Sequence, residues 1–344
     1  MNHRKTSWMI AGALFLSGLL LGIAVGLAAP KPAKVITLKY SGWNPPKGGV
    51  SVPAIKLMEK IETATNGRIK FEKHWMGSLI PAREEVEGVS KGVADMAQVM
   101  QPFQKRLSLM SVGLLPGFHA DTETQGKNMV KLSALKAVKD QVNKHNLIIF
   151  AIHGGDPIHI MTKEPIRTIA DLKGKKIRLV GEAGIALKAL GAVPVGIVSA
   201  EMYTAFERGT IDGVCSSFGG FATFNLHEIG KYVTKMDLYT NMFYVIMNKD
   251  SWTALPEDIR KTMIREAKNL PKFYLDHILG EHRKALNKTY PKYGIQVIEL
   301  SAADKAKVRN ASIPVWNSWV KKMEKEGLPG KEVLEKWKEW NGVR

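Results

Sequence analysis

The sequence predicts an α/β fold of two lobes that face one another across a cleft. Two observations carry this. Segments that alternate like strands are interleaved with segments at helical spacing, first over residues 35–99 and again over 147–214. The late strand and helices that follow have no counterpart in the first set, so the chain is not a simple tandem repeat. At 344 residues it has the length of two ordinary domains, and 45% hydrophobic residues supply two packed cores.

The elements follow in order. Val35-Ile-Thr-Leu-Lys-Tyr40 alternates as a strand and runs into the loop Ser41-Gly-Trp-Asn-Pro-Pro. Val52, Ile55, Leu57, Met58 and Ile61 then recur at helical spacing up to Asn66-Gly67, a C-cap signal. Residues 68–74 alternate again, 80–91 read as a helix with Pro81 near its start, and 93–99 as a buried strand. Strand, helix, strand, helix, strand with short connections implies a parallel sheet with crossover helices. In the second set, 147–152 is a continuous apolar run, which suits a central strand. Strands over 176–180, 193–197 and 211–214 alternate with helices over 185–190 and from a Ser199 cap to Glu207. Strands follow at 243–247 and 293–299. Between them, 257–290 reads as one long charged helix that Pro271 should kink, and two helices end the chain.

Compartment is read from the first residues. His3, Arg4 and Lys5 precede an uncharged apolar run over 8–29 that ends in Gly26, Ala28 and Ala29, the layout of a secretory signal peptide over 1–29. The run is also long enough to stay as a membrane anchor. Either way the remainder lies outside the cytoplasm, and periplasmic residence is expected. The formal charge of +18 would suit nucleic acid, but export and the scattered lysines argue against such a partner. A single cysteine, Cys215, excludes a disulfide framework and a thiolate zinc cluster. Two exported α/β units fit a hinged receptor, because ligands bind outside the carboxyl ends of strands in open α/β sheets.

Three stretches are distinctive: Asp171-Leu-Lys-Gly-Lys-Lys-Ile-Arg178, Leu190-Gly-Ala-Val-Pro-Val195, and Ala200-Glu-Met-Tyr-Thr-Ala-Phe-Glu-Arg-Gly-Thr-Ile-Asp-Gly213. With Gly77-Ser-Leu-Ile-Pro-Ala-Arg-Glu-Glu85 and Leu255-Pro-Glu-Asp258, they make the chain resemble the DctP-type substrate-binding proteins of tripartite ATP-independent periplasmic (TRAP) transporters. The resemblance implies a two-lobed periplasmic binding protein fold with hinge strands and a long kinked helix spanning both lobes. On this reading lobe I takes 34–155 plus 244–286, and lobe II takes 156–243 plus 287–344. It also implies capture of a small organic acid for a TRAP membrane permease, with no cofactor and no metal.

Within the resemblance, Arg178 matches the arginine that pairs with the ligand carboxylate, which a planar guanidinium meets with two parallel donors. Ser216 stands where relatives carry an asparagine, Ile158 where many carry a second arginine, and Met100-Gln-Pro-Phe103 where sugar-acid binders place an acid. Trp43, Gln101, Phe103 and Phe218 join Arg178 and Ser216 as expected ligand contacts. Loss of charged and amide partners implies a less hydroxylated ligand than a sugar acid: an aromatic, branched or short aliphatic carboxylate. His153 and His159 bracket a glycine-containing loop that could bind an anion, but their spacing is not a metal motif, and structural roles suit both better. No Gly-x-Ser-x-Gly elbow, P-loop or His-Glu-x-x-His is present, so an enzyme is not expected. Two alternatives stay open: a periplasmic sensory ligand-binding protein, and a hydrolase using Cys215 with His153 as base.

Overall fold

The computed structural model describes residues 35–47, 49–101, 104–179, 183–197 and 201–343. The expected leader, the Ser199 cap and Phe103 lie outside the described residues. Two sheets organise the rest. The first has the order β2-β1-β3-β10-β4, from β1 (Ile36–Ser41), β2 (Ile69–His74), β3 (Met96–Met100), β4 (Leu147–Pro157) and β10 (Thr240–Asn248). The second runs β11-β9-β5-β8-β6-β7, from β5 (His159–Thr162), β6 (Lys176–Arg178), β7 (Val193–Val195), β8 (Gly213–Ser216), β9 (Tyr232–Lys235) and β11 (Gln296–Glu299).

Alternation in β1 places Leu38 and Tyr40 inward and Thr37 and Lys39 outward, which fixes its register. Helix Ser51–Ala64 buries Leu57, Met58 and Ile61 on one face of this sheet, with Ile259 and Met263 of the helix Glu257–Ala267. Val99, Leu109, Met129 and Ile246 form the core on the other face. The second sheet is also covered on both sides, by a cluster around Ile160, Ile177 and Cys215 and another around Met161, Phe206 and Val214.

Neither sheet is purely parallel, as the sequence had implied. β10 runs antiparallel to both β3 and β4, and β5 runs antiparallel to β8 and β9. The cause is that the chain passes between the sheets directly from one strand to the next at Ile158 and again at 236–239, so each sheet receives a strand running the other way. The two passages are tied to each other, because Ile158 and Leu238–Tyr239 exchange backbone hydrogen bonds of 2.9 and 3.0 Å.

The glycine-containing segment after His153 is strand, not loop. β4 continues through Gly154 and Gly155 with register shifts against β10, and a Cβ on Gly155 would lie 2.4 Å from the Asn241 carbonyl oxygen. Only glycine lets the two strands approach so closely. The expected helix over 80–91 starts only at Glu85, because Ile80 folds back onto Gly88, where a Cβ would fall 2.6 Å from Ile80 Cδ1.

Pro271 does not kink a continuous helix. The helices Glu257–Ala267 and Leu270–Lys284 are separate, and Pro271 sits in the first turn of the second, where its missing N–H has no intrahelical partner to lose. That helix continues through a π-turn, Ala285–Thr289, into Tyr290–Tyr293. Leu270 is buried in the core of the first sheet, Ala285 and Tyr290 in that of the second, so this rod connects both lobes.

The C-terminal boundary moves. Helix Ala302–Lys325 starts against the second sheet through Val308, but Val315, Trp316, Trp319 and Met323, with Trp337 of Gly330–Trp340, are buried with Val99, Leu109 and Met129. Residues from 315 onward therefore pack with the first lobe, where the sequence had placed them in lobe II. Three large rings drive this, each worth about 3–5 kcal/mol if truncated to Ala. No described helix is long and apolar enough to cross a membrane.

Candidate functional site

β6 is three residues long and lies between β8 and β7. Ile177 is fully buried in the sheet core, so Arg178 points to the opposite face at the carboxyl end of the strand. Arg178 is only 8% exposed. Its Nε donates to the Ile197 carbonyl at 2.9 Å. Among the described residues, no carboxylate pairs with its guanidinium. Burial lowers its pKa, with Tyr239 and Cys215 close enough to pull the other way. A guanidinium stays charged at any physiological pH, and a buried charge without a counter-ion is costly. Among the described residues its charge is therefore left without a compensating carboxylate.

Across the ladder, Arg178 pairs with Val214 of β8, and Ser216, two residues further on, shares that face and lies opposite His159 of β5. Ser217 caps the helix Phe218–Thr223 by accepting from Gly220 N–H at 3.2 Å. A Cβ on Gly220 would fall 2.1 Å from Ser216 Oγ. Gly220→Ala should therefore displace Ser216 and destabilise the fold by about 1–3 kcal/mol, the usual cost of overpacking, while Gly219→Ala, which meets nothing within 4 Å, should not. Urea midpoints of both variants check this.

Cys215, between Val214 and Ser216, is buried, and burial pushes its thiol up to about 12. His153 belongs to the first sheet and is bonded to Gln98, and among the described residues no imidazole meets the thiol. The pairing of Cys215 with His153 as nucleophile and base therefore fails: a thiol protonated at neutral pH and lacking a base is a poor nucleophile.

The first lobe presents a row of rings. Trp43 stacks on Phe243 (6.4 Å between centroids), Phe243 meets Tyr274 (6.2 Å), and Tyr274 stands edge-on to His153 (6.0 Å). Val50, Met100 and Ile278 pack around them. Gln98 Nε2 donates to the Val50 carbonyl at 2.9 Å and faces His153 Nε2 at 3.3 Å. That makes Nε2 an acceptor and puts the imidazole proton on Nδ1. Burial holds His153 neutral, with its pKa down to about 3. Trp43 Nε1, His153 Nδ1 and Gln98 Oε1 are buried without partners. Unpaired buried polar atoms are rare and mark positions where a partner is missing.

Other expected contacts are employed differently. Gln101 is buried, its amide donates to the Gln104 and Leu107 carbonyls at 3.3 and 3.0 Å, and it accepts from the Tyr244 hydroxyl. It holds the turn after β3 and has no donor left for a ligand. Phe218 is 5% exposed, its ring set between His159 (4.4 Å) and His282 (5.3 Å), so its first role is packing against the connecting helix. His159 is buried and neutral, its pKa also down to about 3 chiefly through burial. Two residues escaped the sequence reading. Tyr239, on the second passage, lies beside Arg178, and nothing local in the sequence signals it. Gln98 had a signal, as the one amide in an otherwise apolar strand.

Among the described residues no three His, Cys, Asp or Glu side chains gather to hold a metal. The family model described as bacterial extracellular solute-binding protein, family 7 (DctP) matches residues 46–323. The chain is 25% identical to the C4-dicarboxylate-binding periplasmic protein DctP of Rhodobacter capsulatus over 314 residues, 89% of this chain and 93% of that one. It is 27% identical to a solute-binding protein of Albidiferax ferrireducens over 70% of this chain and 72% of the other. Among solved structures, a TRAP periplasmic solute-binding protein of Desulfovibrio salexigens superposes with TM-score 0.76 at 28% identity, over 89% of this chain and 95% of that one. A marine-metagenome TRAP solute-binding protein specific for aromatic acid ligands, in complex with metahydroxyphenylacetate, gives TM-score 0.77 at 25% identity, over 89% and 98%.

Proposed function

The chain belongs to the DctP family of bacterial extracellular solute-binding proteins, and from that premise we propose that it captures an organic monocarboxylate through Arg178 and passes it to a TRAP-type permease in the membrane. The observation that carries this is Arg178 itself, a buried guanidinium with no carboxylate partner among the described residues. A ligand carboxylate completes it with two parallel donors, and closure of the lobes removes water from the pair. Ser216 adds a hydroxyl on the same face, Trp43 an aromatic wall from the opposite lobe, and Phe218 packs behind. Phe103, outside the described residues, stays a proposed contact on its sequence position.

The body of the ligand is apolar or aromatic. The ring row from Trp43 to His153 supports an apolar body, and Arg178 is the only Lys or Arg among the described buried residues, which disfavours a second carboxylate. The similar marine protein specific for aromatic acids supports the same class. Residence in the periplasm, with residues 1–29 as a cleaved leader or retained anchor, completes the reading. Thermal-shift and calorimetric screening of the purified chain should find the tightest ligands among hydroxyphenylacetates, benzoates and branched 2-oxo acids. Binding only of C4 dicarboxylates or sugar acids would overturn the ligand class.

A further inference from the structure

Segment 116–119 leaves the first lobe and wedges between two of the connections that join the lobes. Gly117 N–H donates to Leu238 O at 2.9 Å, on the passage between β9 and β10. Pro116 O accepts from Trp316 Nε1 at 2.8 Å, and Gly117 O from Arg309 Nε at 3.4 Å, both on helix Ala302–Lys325. Phe118 stacks on Trp316 at 4.8 Å. The wedge leaves no slack: a Cβ on Gly117 would fall 2.8 Å from Ser312 Oγ, and His119 holds a left-handed φ of 53°.

His119 is the unusual member. Its Nδ1 faces the Met236 carbonyl at 3.2 Å and its Nε2 faces the Lys305 carbonyl at 3.0 Å. A neutral imidazole carries one N–H, so it satisfies one carbonyl and turns a lone pair toward the other; only the imidazolium donates to both. We infer that His119 is a pH-sensitive clasp on the interlobe hinge, whose protonation fastens the passage at Met236 to the helix at Lys305 and so favours the lobe arrangement seen here.

Lys305 and Arg309, on the helix, oppose protonation, and burial lowers the ring's pKa further, while the two carbonyls raise it. On the passage, Asp237 lies 3.9 Å from Lys305 Nζ and blunts that ammonium, and Asp121 lies on the segment that follows the ring. Burial and the two cations together therefore hold the ring's pKa below the ordinary histidine range.

The test uses the full chain without ligand, with spin labels at K60C and K173C, one exposed position on each lobe. Distance distributions between the labels are recorded from pH 7.5 to 5, and NMR follows the His119 ring. The population of the present arrangement should rise about threefold or more as that ring protonates, roughly the worth of one added hydrogen bond. His119→Asn tolerates the left-handed backbone, keeps an amide near Met236 and does not titrate, so it should abolish the response. A distance distribution that ignores protonation of His119, or a pH response that survives in His119→Asn, overturns the clasp. Should the variant fail to fold, coincidence of ring titration and distance change in the parent chain decides alone.

Discussion

Arg178→Met should weaken binding of the cognate acid by about 2–5 kcal/mol, roughly 30- to 5000-fold, while the ligand-free protein melts at a higher temperature than the parent. The two signs have one cause. Without ligand the guanidinium is buried with, among the described residues, a single carbonyl bond and no counter-ion, so an apolar side chain of similar length removes a cost. With ligand, the same substitution leaves a carboxylate buried and unpaired. Arg178→Lys should fall between, since an ammonium keeps the charge and loses the paired donors. Calorimetry for affinity and scanning calorimetry for the ligand-free melt measure both signs; an unchanged affinity would sink the carboxylate site.

Acid should destabilise the fold well before its surface carboxylates titrate. Burial holds His153 and His159 neutral in the native state, with pKa values of about 3, against about 6.5 in the unfolded chain. Between these limits the unfolded chain binds protons that the native chain refuses. Unfolding free energy therefore falls as pH drops below about 6.5, by about 1.4 kcal/mol per pH unit for each ring, until the native rings themselves charge. Glu85 acts in the other direction. Burial raises its carboxyl well above the usual range, and both oxygens lack partners, so its contribution is intact at low pH and is lost as pH rises past the ordinary glutamate value. Urea midpoints measured from pH 4 to 9 should show a maximum. His153→Gln should shallow the acid limb and Glu85→Gln the alkaline one. Limbs that keep their slopes in these variants would show that other groups set the optimum.

Much of the scaffold could be read in advance because period and punctuation are local. Leu38 and Tyr40 alternate with Thr37 and Lys39, and Asn66-Gly67 closes the first helix. β5 and β9 were missed for equally local reasons: each has four residues, the first follows β4 after a single residue, and the second follows Lys231 and ends on Lys235. The site was harder. Arg178 stood out through resemblance, yet its want of a carboxylate depends on what the rest of the chain fails to bring near. Gln101 misled because its acceptor is taken by Tyr244, 143 residues away. His119 carries no sign in sequence at all, since both its partners are carbonyl oxygens.

The π-turn at Ala285–Thr289 has a quiet consequence for the molecule's tolerance of insertions and deletions. An α-helix advances about 100° per residue, and a π-turn stores one residue that does not fit that count. Shortening the rod by one position there would let it relax to ordinary winding and swing Tyr290 round its axis, away from Phe218, 6.0 Å off. Length in this stretch therefore acts as a phase setting between the halves, and changes of chain length are better absorbed in the exposed turns than in the rod.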